Sequence, residues 1–453
     1  MMNYSESLQW LDELNTFGMK LGLERIRRLV EILGHPERRY KTIHVTGTNG
    51  KGSVSAMLAA VLHEAGIKTA LYTSPHLVSY TERMRIDGKD ISEADFARAM
   101  TKTRAATEQM IGEGEESPTQ FEVLTAAAFL YFAEQNVEYA VIEVGLGGLL
   151  DSTNVITPVL SVITNVTLEH ADKCGGTLEG VAHHKAGIIK DGVPVVTAAK
   201  EMPLGVIKET AQEKRANLYV MGEDFSATWG NLDAAHDSYE VRFSSEILRD
   251  EAHGFDYTMD IGGTYQLANS AVAVMSALVV RESDKRVSME AIRHALAGVK
   301  WPGRFENMSR EIDGKMQIIR VDGSHNPAGV EELRKSLDKF MPDDEQRGRV
   351  FLMGILADKD IDSMVKILLR PCDEIVVTVP DSPRASTPEA VIEKAHRHVS
   401  PKLLAHAERD NARALRLALS IVGGERPLII CGSLYLIGHI REMILKNERS
   451  IAP

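Results

Sequence analysis

The sequence predicts an α/β protein whose sheets are mainly parallel, folded as two domains. Apolar runs of strand length alternate with helical segments nearly throughout, and that alternation builds parallel strands covered by helices. The rhythm breaks at "GVKWPGRFE" (298–306), where Pro and Gly punctuate the chain, and then restarts. At 453 residues, 44% of them hydrophobic, the chain has the length and apolar content for two or three buried cores.

In chain order, "TIHVTG" reads as a strand, followed by a helix over about 52–65 and a second strand in "IKTALYTS". "FEVLTAAAFLYFAEQ" is expected as a helix and "EYAVIEVG" as a strand. "VLSVITNV" (159–166) is another buried strand, and "TLEGVAHHKAGIIK" a helix ending near Gly187. Residues 190–262 carry short alternating stretches such as "SYEVRFSS" and are expected to form β-hairpins laid against the main sheet. The helix "YQLANSAVAVMSALVV" closes a first domain of residues 1–300. A second α/β domain, 301–453, takes its strands and helices from "QIIRVDGSHNPAGVEELRKSLDKF", "RVFLMGILADKD", "DEIVVTVP" and "RPLIICGSLYLIGHIREMI".

Composition excludes several function classes. A formal charge of −12 gives no reason to expect a nucleic-acid surface. No apolar run reaches the roughly 20 residues that span a bilayer, and "MMNYSESLQWLDELN" lacks the features of a signal peptide. Cys174, Cys372 and Cys431 are far apart with no C-x-x-C pair, which argues against a disulfide framework or a cysteine-rich zinc site. A cytoplasmic location is the expectation.

The chemistry concentrates in three places. In "TIHVTGTNGKGSVSAMLAAVLHEAG" (42–66) a glycine-rich turn lies between a strand and a helix. Such a turn exposes backbone N–H groups to an anion at a helix N-terminus. Lys51 is placed to meet the β/γ phosphates and Ser53 to lie near a bound magnesium. The spacing departs from G-x-x-x-x-G-K-[ST], since Gly52 follows the lysine; an ordinary tight turn is the competing reading. In "AVIEVGLGGLLDSTN", Glu143 falls near the C-terminal end of a strand, where α/β sheets present ligands and where a carboxylate can hold magnesium. In "NVTLEHADKCGGTLEGVAHHKAGIIK", Glu169, His170, His183, His184 and Lys185 follow a further strand. Spacing does not choose among the three histidines.

These segments jointly resemble the folylpolyglutamate synthase/dihydrofolate synthase family, within the Mur-ligase-like group of ATP-dependent amide-forming ligases. The matching stretches are "HVTGTNGKGS" (44–53), "YTSPHL" (72–77), "FEVLTAAAF" (121–129), "EVGLGG" (143–148), "DSTNV" (151–155), "HKAGIIK" (184–190), "GRFE" (303–306), "DGSHNPAG" (322–329) and "CGSLYLIG" (431–438). The resemblance implies an N-terminal P-loop-containing, Mur-ligase-like ATPase domain with a mainly parallel sheet and a small β insertion, plus a C-terminal Rossmann-like α/β domain. It also implies that ATP phosphorylates a folate carboxylate and that the amine of L-glutamate attacks the acyl phosphate, lengthening the tail of tetrahydrofolates and, in a bifunctional member, converting dihydropteroate to dihydrofolate.

Residue by residue, the resemblance places Gly50, Lys51, Gly52 and Ser53 on the nucleotide phosphates, and Ser74, Glu143 and His170 on magnesium, with two ions expected. Lys185 matches the family lysine that carries a carbamate made from carbon dioxide; an unmodified Lys185 on phosphate is the alternative. Lys51, Glu143, His170 and Lys185 form the implied catalytic set. Asn269, Arg304 and Asp322 match positions that bind the rest of the nucleotide, with His325 a further candidate that could equally cap a helix. Thr119, Gln120, Phe121 and Glu122 match the pterin- or folate-binding stretch, together with Asp151, although Phe121 could equally be core. Ser433 and Tyr435 are weaker matches for the incoming glutamate. Glu169, His184 and Leu149 stand where the family often has Asp, Glu and Arg. A monomer is expected from the resemblance alone. Two other readings stay open: a Mur-type cell-wall amino-acid ligase, and a nucleotide-switch protein that makes no bond.

Overall fold

The computed structural model describes residues 1–14, 22–169, 171–233, 238–246, 254–312, 314–342 and 347–446. The chain divides into two compact units: 1–230, 240–258 and 267–299 form the first, and 231–239, 259–266 and 300–453 the second.

Among the described residues the first unit is built on an eight-stranded sheet. Its strands are β1 (Lys41–Thr46), β2 (Thr69–Tyr72), β3 (Met84–Ile86), β4 (Lys89–Asp90), β5 (Tyr139–Glu143), β6 (Leu160–Ile163), β7 (Val195–Thr197) and β8 (Leu218–Val220), in the order β4-β3-β2-β5-β1-β6-β7-β8. β2, β5, β1, β6, β7 and β8 run parallel; β3 turns back against β2, and β4 against β3. The central strands are buried on both faces, which is why they read as continuous apolar runs.

Alternation assigns each strand's side chains to opposite layers. Ala70, Tyr72, Ala140 and Ile142 join one core with Trp10, Ile26, Phe96, Met100, Phe129 and Phe132. These last residues come from the helices Tyr4–Leu14, Glu24–Ile32, Glu93–Gly112 and Gln120–Glu134. Burying each such aromatic or large aliphatic side chain contributes about 1.5–3 kcal/mol. The helix Gln120–Glu134 is buried continuously from Glu122 to Ala133, so it is apolar all round, as a central helix must be. A second cluster joins Ile163 and Val195 to Ala182, Ala186, Val206 and Ile207.

The stretch 190–262 differs from the hairpins expected of it. β7 and β8 extend the main sheet in parallel and are joined by the helix Glu201–Glu213. These strands are three residues long, too short for a period-2 pattern, and Pro203 and Gly205 break up the helical signal. Only β9 (Phe225–Asp233), β10 (Ser238–Ser245) and β11 (Gly254–Met259) form a separate small sheet, in the order β11-β10-β9.

In the second unit, β12 (Glu306–Asn307) is followed by the small ribbon of β13 (Arg310–Ile312) and β14 (Lys315–Gln317). β15 (Ile319–Val321), β16 (Val350–Met353), β17 (Glu374–Val377), β18 (Leu404–Ala407) and β19 (Leu428–Cys431) complete a six-stranded sheet, ordered β12-β15-β19-β16-β17-β18, among the described residues. All neighbours are parallel except β12 on β15. A linear division at 300/301 misses two segments of this unit, 231–239 and 259–266. Their attachment is local: the Tyr239 ring packs edge-on against Phe340, and Thr264 N–H donates to Ser336 Oγ at 2.9 Å.

Candidate active site

The C-terminal ends of three adjacent strands converge on the glycine-rich loop. Register sets Val45 of β1 beside Glu143 of β5, and Thr46 beside Ile163 of β6. The loop 47–50 leaves β1 there and enters the helix Lys51–Glu64. Thr48 N–H donates to Asn165 O at 2.9 Å and Asn49 N–H to Asn165 Oδ1 at 2.8 Å, while Thr164 Oγ1 donates to Asn49 O at 2.6 Å. Residues 164–165 therefore hold the loop's shape, a role that sequence reading missed; their position just past β6 was the available signal.

Gly50 caps the helix with φ 87°, and a Cβ there would collide with Asn269 Oδ1. Gly47, at φ 151°, is crowded in the same way by Thr164 Oγ1. Both positions thus require glycine. The first helical bond runs from Val54 N–H to Gly50 O at 2.9 Å, so the helix start is directed toward the loop. Lys51 folds its ammonium over the loop, donating to Gly47 O and Thr48 O, each at 3.1 Å. Ser53 is buried in the first turn, and Asn269 is buried on the helix Gln266–Ser283.

Beside the loop, the buried Glu143 accepts a bond from Ser74 N–H at 3.0 Å through Oε2. β2 and β5 are parallel neighbours, with Tyr72 paired to Ile142, and this brings the 73–77 turn to the carboxylate. His170 lies outside the described residues. Among the described residues no three His, Cys, Asp or Glu side chains cluster as a metal cage. Glu143 and the neighbouring Ser74 offer oxygen donors. They suit magnesium, which keeps waters and takes one or two carboxylates alongside nucleotide phosphates.

Lys185 lies in the last turn of the helix Leu178–Ala186 and is buried. Burial, followed by the Lys51 ammonium, brings its amine down to about 7, against weaker opposing pulls from Cys174, Glu169 and Asp151. The loop 145–155 is seated against this helix: Leu149 N–H donates to His184 O at 2.7 Å, and Asn154 Nδ2 donates to Leu149 O at 2.9 Å and Gly187 O at 3.1 Å. On its other side Thr46 Oγ1 donates to Gly147 O at 2.6 Å. Asp151 organises the loop from within. Its Oδ2 accepts from Leu146 N–H at 2.9 Å, and its Oδ1 accepts from Thr153 N–H at 3.0 Å and Thr153 Oγ1 at 2.5 Å. Burial raises the Asp151 carboxyl, and these bonds hold it back.

Of the folate-stretch residues, Thr119 and Glu122 close a capping box: Thr119 N–H donates to Glu122 Oε2 at 2.7 Å, and Glu122 N–H to Thr119 Oγ1 at 3.3 Å. Glu122 also pairs with the buried Arg25, Nε to Oε2 at 3.1 Å. Gln120 Nε2 donates to Leu11 O at 3.1 Å and Tyr80 Oη at 3.3 Å, and Phe121 packs on the core near Tyr72. All four thus have structural work in this unit.

In the second unit Asp322 follows β15 and is a hub. Oδ2 accepts from Tyr265 Oη and Phe305 N–H, each at 2.8 Å, and Oδ1 accepts from Ser324 N–H at 2.9 Å. Burial, then the Asp322 charge, pushes the Tyr265 phenol well up. Arg304 Nη1 donates to Gly303 O at 3.3 Å, and His325 Nδ1 donates to Gly323 O at 2.8 Å. Ser433 Oγ accepts from Tyr435 N–H at 3.2 Å at the start of the helix Leu434–Lys446, and Tyr435 is exposed.

The chain matches the Mur ligase middle domain over residues 45–277 and the dihydrofolate synthetase C-terminal domain over 305–443. It is 34% identical to a folylpolyglutamate synthase of Lacticaseibacillus casei over 457 aligned residues, covering 99% of this chain and all of that protein. It belongs to the folylpolyglutamate synthase/dihydrofolate synthase family. A dihydrofolate synthase/folylpolyglutamate synthase of Bacillus subtilis is 32% identical over 97% of this chain and 99% of its own. Among solved family structures, Escherichia coli FolC in complex with DHPP and ADP superposes with a TM-score of 0.83 at 28% identity, covering 99% of this chain and all of that one. The α/β architecture is thus that of a Mur-ligase-like, ATP-dependent ligase of this family.

Proposed function

We propose that this protein joins L-glutamate to folates at the expense of ATP, and that it also accepts dihydropteroate. The observation that carries the reading is the convergence of β5, β1 and β6 on one loop, with Lys51, Glu143 and Lys185 gathered around it. The second acceptor is favoured by the E. coli relative, which was solved in complex with DHPP and ADP.

A carboxylate is a poor electrophile because its charge repels an incoming amine and its oxygen leaves badly. In the proposed reaction a carboxylate oxygen of the acceptor attacks the γ-phosphorus of ATP, and ADP departs. The glutamate amine then attacks the acyl carbon, an amide forms, phosphate leaves with the former carboxylate oxygen, and the amine gives up a proton. Lys51 and the N–H groups at the helix start offset charge on the transferring phosphoryl group. Asn269, Arg304, Asp322 and His325 are the proposed contacts to the rest of the nucleotide; Thr119, Gln120, Phe121, Glu122 and Asp151 those to the acceptor; Ser433 and Tyr435 those to glutamate. Glu143 and Ser74, with His170, would hold magnesium, which supplies positive charge at the phosphates.

A carbamate on Lys185 fits the physical setting. Carbon dioxide reacts with a neutral amine, and an amine brought down to about 7 is neutral for a sizeable fraction of the time near pH 7. The bond formed is N–C, a proton is released, and the new anion relieves the repulsion from Lys51. Family resemblance supports placing the enzyme in the cytoplasm as a monomer. Among the described residues no helix is long and apolar enough to cross a membrane.

The test is phosphate release from MgATP with and without glutamate, using tetrahydrofolate or dihydropteroate as acceptor, with mass analysis of products. Release that requires glutamate and an acceptor, with a product one glutamate heavier, is expected for both acceptors. Lys51→Ala should lower that turnover about 100-fold or more. Release that ignores glutamate, or turnover only with a nucleotide-linked muramyl acceptor, would overturn the assignment.

A further inference from the structure

His44 sits in the middle of β1, fully buried, between Ile142 of β5 and Ser161 of β6. An imidazole at such a position is costly unless it does something for its neighbours. Its Nε2 lies 2.8 Å from Thr153 Oγ1, and its Nδ1 has no hydrogen-bond partner. Thr153 Oγ1 in turn lies 2.5 Å from Asp151 Oδ1.

One hydroxyl proton decides the whole chain. Thr153 has a single O–H to give, and the Asp151 oxygen is an acceptor. Once Thr153 donates to Asp151, its oxygen must accept from His44, so the imidazole proton stands on Nε2. Nδ1 is then left as a buried lone pair with no donor. The other tautomer would strand a buried N–H donor at Nδ1, which is the costlier arrangement. Burial, followed by the Lys190 ammonium, independently disfavours a doubly protonated ring.

We propose that His44 is a positioning residue for the acceptor site: its Nε2–H fixes the Thr153 hydroxyl toward Asp151 and so presents Asp151 to the substrate as a pure hydrogen-bond acceptor in one orientation. This rests on the reading of Asp151 as an acceptor contact. The relay also explains why a polar strand face is kept inside a buried sheet. Thr46 and His44, two residues apart on β1 and so on the same face, tie the loop at Gly147 and Thr153 respectively. A loop fixed at both points has little freedom to turn its carboxylate away.

The test combines 15N-histidine NMR with steady-state kinetics on the full chain. His44 should show the Nε2–H tautomer, and Thr153→Val, which removes the hydroxyl at nearly constant volume, should move that signal. In the same variant KM for the folate or dihydropteroate acceptor should rise about tenfold, the scale of one lost charge-assisted bond. Its kcat and its KM for ATP should stay within about twofold, and Thr153→Ser should restore the wild-type KM. A His44 carrying its proton on Nδ1, an unchanged acceptor KM in Thr153→Val, or an equal deterioration of every kinetic constant would each overturn the proposal. If no acceptor supports turnover even in the wild type, the assigned function has failed, and the tautomer and its response to Thr153→Val alone judge the relay.

Discussion

The most consequential single residue is Lys185, because its environment makes a pH-dependent statement about stability. Its amine is near 7 in the folded chain and near the ordinary 10.5 when unfolded. Between those values the unfolded chain binds more protons, so stability rises with pH across that window, and the full penalty applies below it. Lys185→Met carries no such penalty. Its stability relative to the wild type should therefore be greatest at pH 6 and shrink toward pH 10, by a few kcal/mol overall, at about 1.4 kcal/mol for each pH unit that separates the two titrations. Urea denaturation in carbon-dioxide-free buffer measures this, and an equal difference at both ends would mean the amine is unperturbed. The sequence singled out Lys185 by its place after a buried strand, and resemblance supplied the carbamate. Neither its burial nor the nearness of Lys51 could be read from spacing, since Lys51 lies more than a hundred residues earlier and the covering loop 145–155 comes from another connection of the sheet.

At the scale of elements, the helix Gln120–Glu134 shows how resemblance and architecture share residues. Its apolar run was legible as a helix, and its Thr-x-x-Glu start is a capping signature. What the run could not disclose was Arg25, reaching the cap from the helix Glu24–Ile32. Glu122 Oε1 is buried without a hydrogen-bond partner, so Arg25 is the main compensation for that charge. Arg25→Ala should cost about 3–5 kcal/mol in urea unfolding, as expected when one partner of a buried pair is removed. Arg25→Met with Glu122→Gln should recover much of it. A loss under about 1 kcal/mol for the single variant would mean that water reaches the carboxylate. The strands β7 and β8 make the complementary point: three-residue strands carry too few side chains to declare a period, and their sheet membership is decided by neighbours.

For the whole molecule, a separate core in each unit predicts two thermal events. One core gathers around Phe129 and Ile142, the other around Phe351, Ile375 and Ile429. A chain with separate cores need not unfold in one step. Calorimetry should resolve two transitions, and MgADP at about 100 times its Kd should add about 2.7 kcal/mol to the stability of the folded protein. A single transition that shifts as a whole would show that the units melt as one. The α/β class was readable from rhythm. The excursions of the chain into the second unit at 231–239 and 259–266 were not, because a return visit of eight or nine residues leaves no mark on a hydrophobic pattern.

Those visits bear on how such a protein can be taken apart or recombined. The polypeptide passes from one unit to the other at 230/231, 239/240, 258/259, 266/267 and 299/300. A gene cut at codon 299 would not release a clean first module. It would carry away Tyr239 and Thr264 and leave behind Phe340 and Ser336, against which they rest. Shuffling either half between relatives at that single seam therefore transplants foreign surfaces into both, and inheritance of this architecture favours the two units travelling together as one gene.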